Sequence, residues 1–174
     1  MAKYVIFSVL FFVLITSVCA HNPVIVRDEK LVIVKEPEIS KAYYGELKAG
    51  EIVEYFIYSK EPFNLYVNIL APYKENVLPR LDFVVLRSGE PHPYVFDINN
   101  IPYRFEMFYE EYGRDYYWMS SHEYDEIVPP GRYTVIVFGE GKYSLAIGKG
   151  EKWGIKEIIS AIINVIRLKL WFFK

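Results

Sequence analysis

The chain has 174 residues, with Lys+Arg 20 against Asp+Glu 22, a net charge of -2, 52% hydrophobic and 18% aromatic residues. That length holds one domain with additions, and the near-neutral charge excludes the basic stripe of a nucleic-acid binder. The apolar fraction excludes a disordered chain, and a single Cys excludes a disulfide framework or a Cys-based zinc site.

Residues 1–20 read as a secretory signal. Lys3 supplies the positive start, Val5 to Ile15 is apolar except for Ser8, and Thr16 to Ala20 are mostly small, with Val18 and Ala20 where a signal peptidase reads. The apolar run is short for a membrane span, and its flanks suit cleavage before His21. Two other readings stay open, an uncleaved N-terminal anchor helix and a lipoprotein site at Cys19. Cleavage after Ala20 removes Lys3 and the only Cys, leaving a mature chain of net charge -3. The expected location is extracytoplasmic, secreted or attached to the cell membrane.

From 21 to 150 the hydrophobic period is two. Phe63, Leu65, Val67 and Ile69 alternate with Asn64, Tyr66 and Asn68, and Val53, Tyr55 and Ile57 alternate with Glu54, Phe56 and Tyr58. Arg132–Phe138 and Tyr143–Ile147 behave the same way. Alternation rich in β-branched and aromatic residues marks half-buried strands. Gly139-Glu140-Gly141 reads as a hairpin loop between the last two. Other breaks fall at Lys48-Ala49-Gly50, Lys60-Glu61-Pro62, Ala71-Pro72, Ser88-Gly89-Glu90-Pro91 and Pro129-Pro130-Gly131. Turn signals about every ten residues predict an all-β antiparallel sandwich, with no useful helix before Ile155.

Ala42-Tyr43-Tyr44-Gly45-Glu46-Leu47 followed by Gly50-Glu51-Ile52-Val53-Glu54-Tyr55-Phe56 resembles the opening of pre-peptidase C-terminal-type β-sandwich domains. Leu81–Leu86, Pro130–Val137 and Gly141–Gly148 are similar to their later strands. The chain is also similar to small exported prokaryotic proteins of unassigned function that end in an apolar segment. The resemblance covers roughly Ser40 to Gly148, with Pro91 to Val128 standing out as an insertion. It implies a jelly-roll-like accessory domain of secreted proteins and transfers no catalytic residue.

Chemistry is sparse. The three histidines, His21, His92 and His122, are not at metal-ligand spacing. No His-Glu-x-x-His, Gly-x-Ser-x-Gly, phosphate loop or dinucleotide fingerprint occurs. The expectation is a protein without catalytic residues and without a required cofactor. One dense constellation runs from Phe105 to Glu126. Its acids include Glu111, Asp115, Glu123 and Asp125, and clustered carboxylates are what a hard cation such as calcium needs. The other reading of these acids is a solvated edge. Tyr112, Tyr116, Tyr117 and Trp118 are candidates for stacking on a glycan, because consecutive strand residues cannot all face inward.

Residues 155–174 form the third segment, a C-terminal amphipathic helix. Glu157, Ser160, Asn164 and Arg167 recur at helical spacing on one stripe, surrounded by Ile and Leu. Ile159, Ile162, Ile166, Leu170, Trp171 and Phe172, with Lys156, Arg167, Lys169 and Lys174 beside them, suit a helix lying in a membrane interface. Packing on its own domain or on a partner copy is the other reading, and a span ending on Lys174 the third. The sequence has no Gln, and Thr only at Thr16 and Thr134, with abundant Lys, Glu, Ile and Val. That is the composition of a hyperthermophile protein, although Asn is retained, and it points to an archaeon.

These features together describe an exported, non-enzymatic binding or assembly domain at the cell envelope. Its partner would be a membrane surface or an envelope protein rather than nucleic acid. Two alternatives stand beside this, a carbohydrate-binding module and an accessory or pro-domain of a secreted hydrolase system.

Overall fold

The computed structural model describes residues 21–89, 104–111, 114–152 and 154–174, with the backbone alone at 155–157. The predicted signal with Cys19, His92, part of the expected insertion, and Tyr112 lie outside the described residues.

The described fold is all-β and sandwich-like, closed by one helix. The strands are β1 (Asn22–Ile25), β2 (Leu31–Val34), β3 (Lys41–Leu47), β4 (Ile52–Ser59), β5 (Phe63–Pro72), β6 (Arg80–Arg87), β7 (Phe105–Glu110), β8 (Asp115–Val128) and β9 (Gly131–Ile147); α1 spans Ile155–Trp171. They form a curled mixed sheet with two halves. The larger half has the order β1-β3-β9-β5-β8-β7, and in the smaller half β9 lies between β4 and β6, with β2 outside β4.

Strand β9 belongs to both halves. Its first part pairs antiparallel with β4 (Ser59↔Gly131 to Ile52↔Phe138) and β6 (Arg87↔Tyr133 to Arg80↔Glu140). Its second part pairs with β3 (Leu47↔Gly141 to Lys41↔Ile147) and with β5 (Leu70↔Ser144 to Val67↔Ile147). Gly139-Glu140-Gly141 is therefore not the expected hairpin loop but the bend at which one 17-residue strand changes halves. Gly139 has φ +125°, and a Cβ there would lie 2.1 Å from the Arg80 carbonyl oxygen, so only glycine lets β6 and β9 meet at the corner.

Two pairs also depart from the expected antiparallel pattern. β1 runs parallel to β3 and β2 parallel to β4. The chain between β1 and β3 crosses to the smaller half to form β2, so both strands return in the same direction.

The alternation read from the sequence defines the core. Leu65, Val67, Ile69, Tyr55, Ile57, Val135, Val137, Leu145 and Ile147 are all fully buried between the two halves. Each such side chain contributes about 1.5–3 kcal/mol relative to exposure. The opposite face of the larger half carries a second cluster, in which Ala42, Tyr44 and Tyr117 pack against Leu168 and Phe172 of the helical segment.

Helix α1 docks through one narrow face. Ala161, Leu168 and Phe172 are buried, and Asn164 Nδ2 donates to the Pro23 carbonyl of β1 at 2.8 Å. At the far end Lys142 Nζ donates to the Trp171 carbonyl at 2.7 Å, a cation on the negative end of the helix dipole.

Candidate functional site

The constellation between Phe105 and Glu126 does not converge. Strand β8 extends through most of it, so successive side chains point to opposite faces. Asp115 accepts a hydrogen bond from Lys169 of α1, and Asp125 pairs with Lys149 at 2.6 Å. The Lys149 hydrogen bond holds the Asp125 carboxyl below the usual range, with a hydrogen bond from Asn64 adding to it. Glu123 accepts from the Tyr66 hydroxyl at 3.3 Å, and Glu111 lies in the turn just beyond β7. Among the described residues no group of three His, Cys, Asp or Glu side chains could hold a metal ion. Asp115, Glu123 and Asp125 are spread along β8, and Glu111 lies in the turn after β7, so the four are not gathered round a cation.

The aromatic candidates separate in the same way. Tyr116 is half exposed, Trp118 packs partly on the main core, and Tyr117 is 5% exposed beneath the helical segment. Tyr117 is thus not a free stacking surface, because the face opposite the core is itself covered. Two exposed rings, Tyr109 and Tyr116, adjoin two half-buried ones, Tyr73 and Trp118. Tyr109 and Tyr116 are 4.8 Å apart, Tyr73 lies 6.2 Å from Tyr116, and Trp118 lies 4.9 Å from Tyr73. Trp118 Nε1 donates to the Lys74 carbonyl at 3.2 Å, which fixes the indole.

On the outer face of the larger half, beside the aromatic cluster under α1, lies a pocket of about 390 Å³. Small residues from adjacent strands make its floor: Ala42 of β3, Ser144 and Ala146 of β9, and Asn68 of β5. Register explains the grouping, since Ala42 and Asn68 both sit opposite Ala146. Tyr44, Tyr66, Phe108, Tyr109 and Tyr117 supply aromatic walls, and Leu70, Met119, His21, Glu110 and Glu111 complete the lining. Burial pushes the His21 imidazole below its ordinary value, leaving it neutral at pH 7.

Asn68 is the unusual member of this floor. It is 2% exposed, its Nδ2 donates to the Ser120 carbonyl at 3.4 Å, and its Oδ1 has no hydrogen-bond partner among the described residues. The β5–β8 register shifts immediately beyond it, between Asn68 and Leu70. Such irregularities commonly re-aim a side chain. A buried orphan acceptor costs about 1–3 kcal/mol, so its retention calls for an explanation.

A second polar contact spans the two halves. His122 Nδ1 donates to Asp82 Oδ1 at 2.8 Å, and the same oxygen accepts the Phe83 backbone N–H at 2.7 Å. The His122 ring stacks on Phe83 with centroids 4.3 Å apart. Ser120 Oγ accepts the His122 backbone N–H, so this hydroxyl is turned to the main chain. The arrangement fastens β8 to β6.

The predicted membrane-contact residues divide between two faces of α1. Ile159, Ile162, Ile166 and Leu170 are exposed, as is Ile163. Trp171 is half-buried against the domain, and Phe172 is 1% exposed between Tyr44, Tyr117 and Phe173. Those last two are docking residues, because Phe172 follows Ala161 and Leu168 on the buried face. Among the described residues no helix is long and apolar enough to cross a membrane.

No family model and no curated protein matches the sequence. Among solved structures the chain is similar to PliG of Aeromonas hydrophila, a periplasmic inhibitor of g-type lysozyme. The match has 16% identity over 71% of this chain and 98% of that one, with a TM-score of 0.42.

Proposed function

We propose that this chain is an exported, non-catalytic binding domain that rests on the lipid surface of the cell envelope through α1. The observation that carries this reading is the outward face of the helix. Ile159, Ile162, Ile163, Ile166 and Leu170 follow helical spacing on the side opposite Ala161, Leu168 and Phe172, and are 43–63% exposed. At 100° per residue, Arg167 and Lys169 flank the stripe on its two sides, and both are exposed. An apolar stripe bordered by cations suits a helix lying flat at an anionic bilayer surface, where Arg167 adds about 1 kcal/mol and Lys169, already paired with Asp115, adds less.

The test is cosedimentation of the full chain with phosphatidylglycerol/phosphatidylcholine vesicles. Binding that falls about tenfold or more in Ile162→Glu/Ile166→Glu, with an unchanged circular-dichroism spectrum, supports the reading. Equal sedimentation of the variant, or no sedimentation of the wild type, overturns it. Both substituted residues are solvent-exposed, so loss of the fold is not the expected outcome.

The Tyr109–Tyr116–Tyr73–Trp118 group favours a second reading, a carbohydrate-binding module. The two exposed rings, Tyr109 and Tyr116, with centroids 4.8 Å apart and backed by Tyr73 and Trp118, offer a stacking platform for sugar faces. Polysaccharide pull-down that is lost in Tyr109→Ala/Tyr116→Ala supports it, and absence of any sugar signal in the wild type removes it.

A further inference from the structure

A sheet with one face in water alternates apolar with polar residues, and the smaller half does not. Its strands β2, β4, β9 and β6 turn a second apolar surface outward, on the side away from the core. Register sets this surface out in rows. One row runs Leu31, Glu54, Ile136, Val84, and the next runs Ile33, Phe56, Thr134, Leu86. Ile52 opposite Phe138 and Tyr58 opposite Arg132 extend it at the two ends. Leu31, Ile33 and Tyr58 are 53–57% exposed, and Phe56, Val84 and Leu86 are partly exposed. The outer face of the larger half is covered by α1; among the described residues no element packs in that way on the smaller half.

Charge decides what fits this face. Its rows carry one base, Arg132, and two acids, Glu54 and, at the rim, Asp82. Asp82 is already taken by His122 Nδ1 and by the Phe83 N–H. Glu54 and Arg132 make no ion pair among the described residues. They sit on neighbouring strands and cannot reach each other, because Glu54 lies opposite Ile136, about 14 Å along β9 from Arg132. The midpoint between them is the Phe56–Thr134 pair. A two-fold axis lying in the face at that pair, perpendicular to the line from Glu54 to Arg132, sets each Glu54 opposite the partner's Arg132. A purely apolar occupant, a lipid surface included, would bury both charges unpaired, whereas a second copy satisfies both at once.

We propose that the outer face of the smaller half is the interface of a two-fold symmetric dimer of this chain, packed sheet on sheet, with each Glu54 against the partner's Arg132. A standard interface takes about 20–30 residues from each side, and this face offers roughly half of that. The expected dimer is therefore a reversible one, with a dissociation constant of about 1–100 µM. The face lies across the sandwich from α1, so the inference uses nothing of the lipid-surface reading and leaves the helix stripe of both copies uncovered.

Sedimentation velocity of the full chain from about 1 to 500 µM tests this, with Ile162→Glu/Ile166→Glu in every sample to silence association through α1. The mass should rise from the 20.5 kDa of one chain towards twice that value. Ile33→Lys, at an exposed position outside the core, should weaken association at least about tenfold with an unchanged circular-dichroism spectrum. Glu54→Arg alone and Arg132→Glu alone each set like charges opposite one another twice, and should do the same.

An equimolar mixture of those two charge variants restores opposite charges at both contacts. It should associate within about threefold of the parent, a gain that misfolding cannot imitate. A chain that stays monomeric throughout the range overturns the proposal. So does association indifferent to Ile33→Lys and to the charge reversals, and so does a mixture that fails to recover.

Discussion

Gly45 and Tyr143 face each other across β3 and β9, and the tyrosine ring lies over the glycine. A Cβ added at Gly45 would fall 2.5 Å from the Tyr143 hydroxyl oxygen and 2.6 Å from the ring carbon bearing it. The hydroxyl is held there by Tyr55, whose own hydroxyl lies 2.9 Å away at a position with no solvent exposure. Three elements thus meet at one glycine: β3 supplies the space, β9 the ring and β4 the hydrogen-bond partner.

Gly45→Ala should therefore destabilise the fold by about 1–3 kcal/mol through overpacking. Removing the ring in Gly45→Ala/Tyr143→Leu should recover part of that loss, so the two changes will not add. Urea denaturation of the single and double variants measures this. Simple additivity would mean the ring does not occupy the glycine's space.

The same tyrosines predict an alkaline limit. Burial pushes the Tyr143 phenol up to about 12, and burial with the neighbouring Tyr143 hydroxyl holds Tyr55 well above its ordinary value. In the unfolded chain both ionise near pH 10. A folded value above the unfolded one means the native state keeps protons the unfolded state has lost. Stability is then unchanged below about pH 10 and falls above it, by about 1.4 kcal/mol per pH unit for each such group. Tyrosinate absorbance near 295 nm should show a late fraction that appears together with loss of β circular dichroism. Ionisation of every tyrosine near pH 10 with the fold intact would contradict this.

How far the sequence reveals this architecture depends on whether the deciding contact is local. The alternation Phe63-Leu65-Val67-Ile69 is a property of one strand, and it matches the buried face of β5. Gly139-Glu140-Gly141 is different, because a hairpin and a sheet-changing bend use the same residues. What separates them is that Leu47 pairs with Gly141 and Arg80 with Glu140, from strands far away in sequence. Tyr117 reads as a surface ring on period-two grounds, but the segment that buries it lies some fifty residues later. Asn68 carries no signal beyond an outward-facing polar residue, since its lost partner emerges only where β5, β8 and β9 come together.

A cation test follows from the dispersal of the acids along β8. Asp115 and Asp125 are already held by Lys169 and Lys149, and Glu123 serves the Tyr66 hydroxyl. Millimolar calcium or a chelator should consequently shift the melting temperature by no more than about 1 °C, well under the 2–4 °C that 1 kcal/mol gives a chain of this size. A rise of several degrees with calcium, abolished in Asp115→Asn/Glu123→Gln, would restore a bound cation to this edge.

The two faces of α1 predict opposite responses to truncation of a side chain. Phe172 is 1% exposed and makes an edge contact with Tyr44 at 4.9 Å, so Phe172→Ala removes a ring from a closed cluster. The expected loss is about 3–5 kcal/mol for whatever unit the docked helix belongs to. Ile166 is 59% exposed, and Ile166→Ala should stay within about 0.5 kcal/mol. Chemical denaturation gives both numbers, and limited proteolysis shows whether the first loss is global or confined to release of the helix. If release is local, cleavage within 155–174 will accelerate while β-sheet circular dichroism persists. Should Phe172→Ala prove neutral and Ile166→Ala costly, the helix docks in solution by the face assigned here to the lipid surface, and the assignment of its two faces would have to be reversed.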